Sequence, residues 1–190
     1  MPPKSTSSKS GAYVALLRGV NVGGKNMVAM PALARLFEEA RCRQVGTFIQ
    51  SGNALFQADP VLAAKLPALI PAAMAKALGF QVPVVLRSGA EMAAIAAKHP
   101  LAAPGIDPKW LHVGFLASAP SAAQVSALDP RRSPGDRFKV DGKQVYVHFG
   151  NGSGTSKLTA PYFDSKLGTT ITLRNWNTVQ KLAALAQALG

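Results

Sequence analysis

FQVPVVLRS, residues 80–88, ends on Leu86-Arg87-Ser88, and the same ending returns as Leu173-Arg174-Asn175 in TTITLRN, residues 169–175. Each is an apolar, β-branched run that stops at an arginine and then at a residue able to cap a helix. The positions that follow correspond as well. Met92 and Ile95 come after the first ending and Val179 and Leu182 after the second, at the same helical spacing. A strand-then-helix unit therefore occurs twice in a chain of 190 residues.

Working back from both endings gives one order of elements. YVALLRG (13–19) reads as a buried strand, and Pro31 opens a helix with Leu33, Leu36, Phe37 and Ala40 on one face. VGTFIQ and NALFQ flank Ser51-Gly52, a two-residue hairpin turn. Residues 60–79 form a second helix, expected to kink or restart at Pro67 and Pro71 and to close at Gly79. Pro83 places the FQVPVVLR strand at a sheet edge, and Ser88 with Glu91 makes a capping box. In the second half WLHVGFLAS (110–118) is a strand and a helix follows over 120–128. DRFKV and QVYVHF form a hairpin around Asp141-Gly142-Lys143, and the next helix is expected near Ser156. The last helix carries Val179, Leu182, Leu185, Ala186 and Leu189 on one face.

The expected fold class is α+β: two tandem ferredoxin-like (βαββαβα) subdomains related by duplication. They cover residues 12–104 and 105–190, joined near PLAAPGIDP (100–108). Residues 1–11 read as a disordered tail rich in Pro, Ser and Lys, with no apolar stretch of the kind a secretory signal needs. No uninterrupted apolar run reaches about 18 residues, so no membrane partner is expected.

Charge sets the class of partner. Lys and Arg number 21 against nine acids, a net charge of +12, and the first acid in the chain is Glu38. Such a surface attracts polyanions. The single cysteine, Cys42, excludes an internal disulfide and a multi-cysteine zinc site, and a cytoplasmic location follows as the default. His99, His112 and His148 stand apart with no second ligand at metal spacing, so no metal and no cofactor are expected.

RGVNVGGKN (18–26) resembles a phosphate-binding loop, but Asn26 stands where the magnesium-binding hydroxyl belongs and the helix starts several residues too late. The segment is either an anion-binding nest, with Arg18, Asn21, Gly23, Gly24 and Lys25 around the anion, or a wide turn. GNGSGTSKL (150–158) is either a flexible hairpin-to-helix loop or an anion site with Ser156 and Lys157 at a helix start, where a bound anion would offset a cation that opposes the helix dipole. RNWN (174–177) offers Arg174, Asn175, Trp176 and Asn177. Either they read a phosphate and stack on a base, or the asparagines cap the last helix and the indole packs inside.

YVALLRGVNVGGKN, TFIQSGNALF, VPVVLRS, SKLT and RNWNTVQKL, in this order and spacing from Tyr13 to Leu189, resemble the bacterial family known as domain of unknown function 1697. The resemblance implies an α+β fold with two related subdomains and implies no activity. Members of that family place basic residues after Gly-Lys-Asn, where this chain has Met27, Val28 and Ala29.

The function expected is binding of a phosphate-bearing small molecule or a nucleic acid, by a monomer or homodimer. An enzyme acting on a phosphorylated or nucleotide substrate between the subdomains is the second expectation, although no catalytic residue is evident. A protein-interaction module built on exposed sheet edges is the third. In the expected geometry RGVNVGGKN leaves one end of its sheet while QSGN (50–53) and Arg87 lie at the other. Convergence is then expected between subdomains, with Arg18 and Lys25 approaching Arg174 and Asn175 around an anion.

Overall fold

The computed structural model describes residues 10–190. The expected tail therefore lies outside the described residues up to residue 9. Its last residue is not tail at all, since Gly11 already pairs with Ala58. The chain runs β1 (Gly11–Leu17), α1 (Met30–Glu39), β2 (Arg43–Thr47), β3 (Asn53–Ala58), α2 (Pro60–Leu78), β4 (Val84–Ser88) and α3 (Gly89–Ala97). A 3-10 turn, Pro108–Trp110, leads into β5 (Leu111–Leu116), α4 (Ala122–Ser126), β6 (Arg137–Asp141), β7 (Gln144–His148), α5 (Ala160–Leu167), β8 (Ile171–Asn175) and α6 (Trp176–Leu189). The architecture is mixed, with two four-stranded antiparallel sheets of order β2-β3-β1-β4 and β6-β7-β5-β8.

The registers match position for position. Val14 of β1 sits between Leu55 and Arg87, and Val113 of β5 sits between Tyr146 and Arg174. The apolar runs of β1 and β5 are central strands, covered on both faces. Helices α1 and α2 close one face of the first sheet around Phe37, Phe56, Leu66 and Met74. Helices α4 and α5 lie on the second sheet with Val145, Val147 and Phe163. The inner faces of both sheets share a third core with α3 and α6, built from Val14, Phe115, Met92, Val179 and Leu182. Full burial of side chains such as Phe56 and Phe115 contributes about 2–3 kcal/mol each.

Local differences from expectation have physical causes. Helix α2 runs unbroken through Pro67 and Pro71, because Ala63, Leu66, Ile70 and Met74 hold one face on the sheet across both prolines. Its 19 residues also make it, among the described residues, the one helix long and apolar enough to cross a bilayer. The turn between β2 and β3 spans residues 48–52 instead of two residues, with Ile49 at φ 50° and Gly52 at φ 74°. Helix α4 starts at Ala122, two residues later than expected, where its Ser121–Gln124 capping box sets the first turn, and it ends at Ser126. Helix α5 starts at Ala160, capped by Thr159, so Ser156 and Lys157 precede the helix and the dipole argument for Lys157 falls.

Candidate functional site

Arg174 is 8% exposed and, among the described residues, carries no carboxylate partner. Its Nε donates to Asn53 Oδ1 at 2.6 Å, and Nη1 donates to Thr172 Oγ1 at 2.8 Å and to the Leu173 carbonyl at 2.9 Å. Nη2 donates to the carbonyls of Leu17, Ser51 and Gly52 at 2.7, 3.1 and 3.3 Å. Burial pushes its pKa down to about 10, which leaves it charged at neutral pH. Arg87 does the reciprocal work. Its Nη2 donates to the carbonyls of Leu116 and Lys143, each at 2.8 Å. Leu17 and Leu116 end the two central strands, and Gly52 and Lys143 stand at the two hairpin turns. Each arginine thus binds the strand end and hairpin of the other half. Arg174 is corrected from an anion ligand to a cross-strut between the sheets, because protein oxygens already take its N–H groups.

The first loop is also internally satisfied. Asn21, at φ 55°, accepts from Val28 N at 2.8 Å and donates to the carbonyls of Val28 at 3.0 Å and Gln50 at 2.9 Å. Asn26 donates to the Gly19 carbonyl at 3.0 Å. Gly23 and Gly24 take left-handed backbone at the exposed tip, beside an exposed Lys25 whose N–H returns to the Val22 carbonyl at 3.1 Å. Asn21 is therefore corrected from a ligand contact to a clamp that ties this loop to residues 48–52. That clamp also overturns the expected separation of RGVNVGGKN from QSGN, whereas Arg87, opposite Val14, lies toward the other end of the sheet. β1 and β2 both run antiparallel to β3, hence parallel to each other, so both loops leave the same end of the sheet.

In the second half Ser156 Oγ accepts from Leu158 N at 2.9 Å, and Lys157 is exposed, held by its backbone to Ser133 Oγ at 3.1 Å. Asn175 caps α6 through Asn177 N at 3.0 Å and donates to the Lys109 carbonyl at 2.8 Å. The Asn177 side chain is exposed. Trp176 is only 6% exposed and meets His99 edge to face at 5.0 Å, so it is corrected from a stacking platform to a core residue. The exposed indole is Trp110, at 36%, which sequence reasoning passed over as the first residue of a strand. Asp107-Pro108, a cap followed by a proline, was the signal for the turn that presents it. Cys42 is buried, and burial pushes its thiol up to about 11, which makes it inert at neutral pH.

Between the halves lies an open cleft of about 630 Å3. Its walls bring together Arg18, Val20, Ile49 and Ser51 from the first half with His112, Phe149, Thr159 and Arg174 from the second. Arg18, Arg174 and Asn175 all line this cleft, and Lys25 does not. The inference that an anion must hold these cations together does not follow. Arg174 is saturated, and Arg18 Nη1 pairs with Asp164 Oδ2 across the cleft. Among the described residues no other atom of the Arg18 guanidinium has a partner. Ile49 is 49% exposed at the lip and holds a left-handed backbone that a β-branched residue adopts only under strain.

Packing also brings His99 of the first half near His112 and His148 of the second, three histidines that stand apart in sequence. His99 Nδ1 accepts from Leu101 N at 3.3 Å, so Nε2 is the nitrogen that donates to the His112 carbonyl at 3.0 Å. Burial pushes His99 down, a charged His148 would push it further, and the bond to His112 opposes both. Burial lowers His112 and His148 as well, with Arg137 adding to the effect on His148 and Asp136 opposing it. Unfolded histidine takes up its proton near pH 6.5, and these folded ones do so only at lower pH. The unfolded state then binds more protons, and stability falls as pH drops below about 6.5. Urea midpoints measured from pH 7.5 to pH 5 are expected to decline, and His99→Gln is expected to flatten that decline. A midpoint independent of pH across this range would contradict the assignment.

Comparison with known proteins agrees with the fold. The conserved bacterial protein SP0830 from Streptococcus pneumoniae is similar in structure, with a TM-score of 0.68 at 22% identity over 94% of this chain and 99% of that one. No curated protein matches the sequence. Residues 11–146 match the model of the family described as Protein of unknown function (DUF1697), and the chain belongs to that family.

Proposed function

We propose that this chain binds a phosphate-bearing ligand, a nucleotide or a nucleic acid, in the cleft between two ferredoxin-like units that arose by duplication. The units correspond to residues 12–104 and 105–190, and the protein works in the cytoplasm as a monomer or homodimer. The matched strand registers and the reciprocal arginine struts support the duplication. The observation that carries the functional reading is Arg18. Of the two arginines on the cleft wall, it is the more exposed one, with its side chain about a quarter exposed and its Nη1 held by one carboxylate; among the described residues its Nε and Nη2 have no partner and can reach phosphate oxygens. Val20, Ile49, Phe149 and Leu158 offer an apolar wall to the body of such a ligand, and Ser51, Ser153 and Thr159 offer hydroxyls.

Calorimetric titration with adenosine monophosphate and with inorganic phosphate tests this. Arg18→Gln is expected to weaken binding about tenfold or more, as loss of a charge-assisted contact does. Its cost to stability should stay within about 1–3 kcal/mol, because the pair it breaks is about a quarter exposed and Asp164 keeps the Ile171 N–H. Equal binding by wild type and variant would sink the reading.

An enzyme is the second reading, favoured by His112. The imidazole lies on the cleft wall, and burial keeps it neutral at pH 7, the state a general base needs. His112→Gln would then abolish turnover of a phosphorylated substrate while leaving its binding intact. Turnover that survives the substitution excludes that role.

A further inference from the structure

We propose that the anion this chain takes is single-stranded nucleic acid, with Trp110 as the platform on which an unpaired base stacks beyond the cleft. The proposal rests on the phosphate-binding reading and extends it from one residue's worth of charge to a strand.

Trp110 is held on a rigid support. Lys109 N donates to Asp107 Oδ1 at 2.9 Å, the Lys109 carbonyl accepts from Asn175 Nδ2 at 2.8 Å, and the Trp110 carbonyl accepts from Phe149 N at 2.9 Å. The indole is nonetheless more than a third exposed. Gly152, at φ 87°, comes so close that a Cβ there would lie 3.2 Å from the ring. The glycine loop 150–154 therefore touches the indole directly. The next residue of that loop, Ser153, lines the cleft that holds Arg18. The loop thus joins the indole, at Gly152, to the cleft wall, at Ser153.

The other side of the loop is basic. It packs on residues 129–136, where Gly150 N donates to Asp136 Oδ1 at 2.9 Å and Arg132 Nε donates to the Lys157 carbonyl at 3.0 Å. Arg131, Arg132 and Lys157 are all exposed there. The nearby carboxylates are already engaged. Asp136 is buried and also accepts from Ser133 Oγ at 2.7 Å, and Asp129 accepts from Arg131 N at 2.9 Å. Lys109 Nζ lies over the Trp110 ring at 5.1 Å from its centroid and pairs with Asp107 Oδ2 at 3.0 Å, so a stacking base takes the ring's other face or displaces this exposed lysine. What faces solvent is an indole with Lys109 over its ring and, across the glycine loop, the exposed Arg131, Lys157 and Arg132, the last lying over the Tyr162 ring, on a chain of net charge +12. Cationic grooves with an exposed aromatic bind single strands, because any unpaired base has a face to stack and every nucleotide brings a phosphate. A duplex hides its base faces and cannot use the indole.

Fluorescence anisotropy with a labelled oligodeoxythymidylate of about a dozen nucleotides tests the idea. Binding is expected to weaken as salt rises. Trp110→Ala should reduce affinity about tenfold or more, and Trp110→Phe should restore part of it. Intrinsic fluorescence adds a second readout. The chain has two tryptophans and Trp176 is buried, so quenching by the strand reports on Trp110. An oligonucleotide affinity unchanged by Trp110→Ala overturns the proposal while the phosphate reading stands. Thymidine monophosphate binding as tightly as the strand, or heparin quenching as strongly as the strand, overturns it in the same way. If neither mononucleotide nor strand binds, both fail.

Discussion

Replacing Arg174 with leucine is expected to remove about 3–5 kcal/mol of folding stability, the largest effect of any single substitution considered for this chain. The mechanism is desolvation without compensation. Leucine fills part of the space but leaves Asn53 Oδ1 and the carbonyls of Leu17 and Ser51 without the donors that now reach them. Each orphaned buried acceptor costs about 1–3 kcal/mol, reduced where water can enter. Gly52 keeps the Leu17 N–H at 2.8 Å and is the least affected. Arg87→Leu should cost less, because Lys143 keeps the Leu116 N–H and fewer acceptors lose their only partner. Arg174→Lys should fare little better than leucine, since a single ammonium cannot reach Asn53 and Leu17 together. No carboxylate takes part, so the loss should be the same at low and high salt, unlike that of an ion pair. Urea unfolding of the three variants at two salt concentrations measures all of this. A loss under about 1 kcal/mol for Arg174→Leu would remove the cross-strut from the account.

The strut also shows what the sequence could and could not disclose. Two Leu-Arg-cap endings were legible in the sequence, and both close strands at sheet edges, β4 and β8. The destination of the arginines was not legible. Whether Arg174 faces solvent or the other sheet depends on how two units lie against each other, which no local pattern encodes. The same limit applied to Trp176. A tryptophan beside two asparagines reads equally as a binding motif and as a cap next to a core residue. Other errors were local and avoidable. Ser156 and Thr159 can each cap a helix, and Pro161, fitting the first turn after Thr159, favours the later start. The two-residue hairpin at Ser51-Gly52 ignored Asn53, which is buried and donates to the Phe48 carbonyl at 3.0 Å and so closes a longer loop. That loop carries Ile49 to the cleft. Trp110 and Arg18 share a surface only through strand pairing and the packing of the two halves. The cleft's walls were therefore foreseeable in composition but not in membership.

Two glycines of one loop should behave in opposite ways. A Cβ on Gly150 would stand 2.2 Å from the Gly135 carbonyl oxygen and 3.0 Å from its carbon, whereas a Cβ on Gly154 meets nothing within 4 Å. Neither residue has a positive φ, so backbone preference does not separate them and only the neighbour does. The obstacle at Gly150 is backbone, which cannot swing aside as a side chain can. Gly150→Ala must therefore push residues 133–136 away, breaking the bond from Gly150 N to Asp136 and the one from Asn151 to Pro134. The expected loss is about 2–3 kcal/mol, the range for overpacking at a site that cannot relax. Gly154→Ala should change stability by no more than about 0.5 kcal/mol. Displacing residues 133–136 also shifts Arg131 and Arg132 relative to Trp110. Gly150→Ala is accordingly expected to weaken oligonucleotide binding at temperatures where it is still folded, and Gly154→Ala is expected to leave it unchanged. Thermal unfolding and anisotropy on the same pair of variants separate the two effects. Equal stability of the pair would mean that the loops are less tightly joined than their contacts imply. A stability difference without an affinity difference would mean that the basic flank and the indole do not act on the same strand.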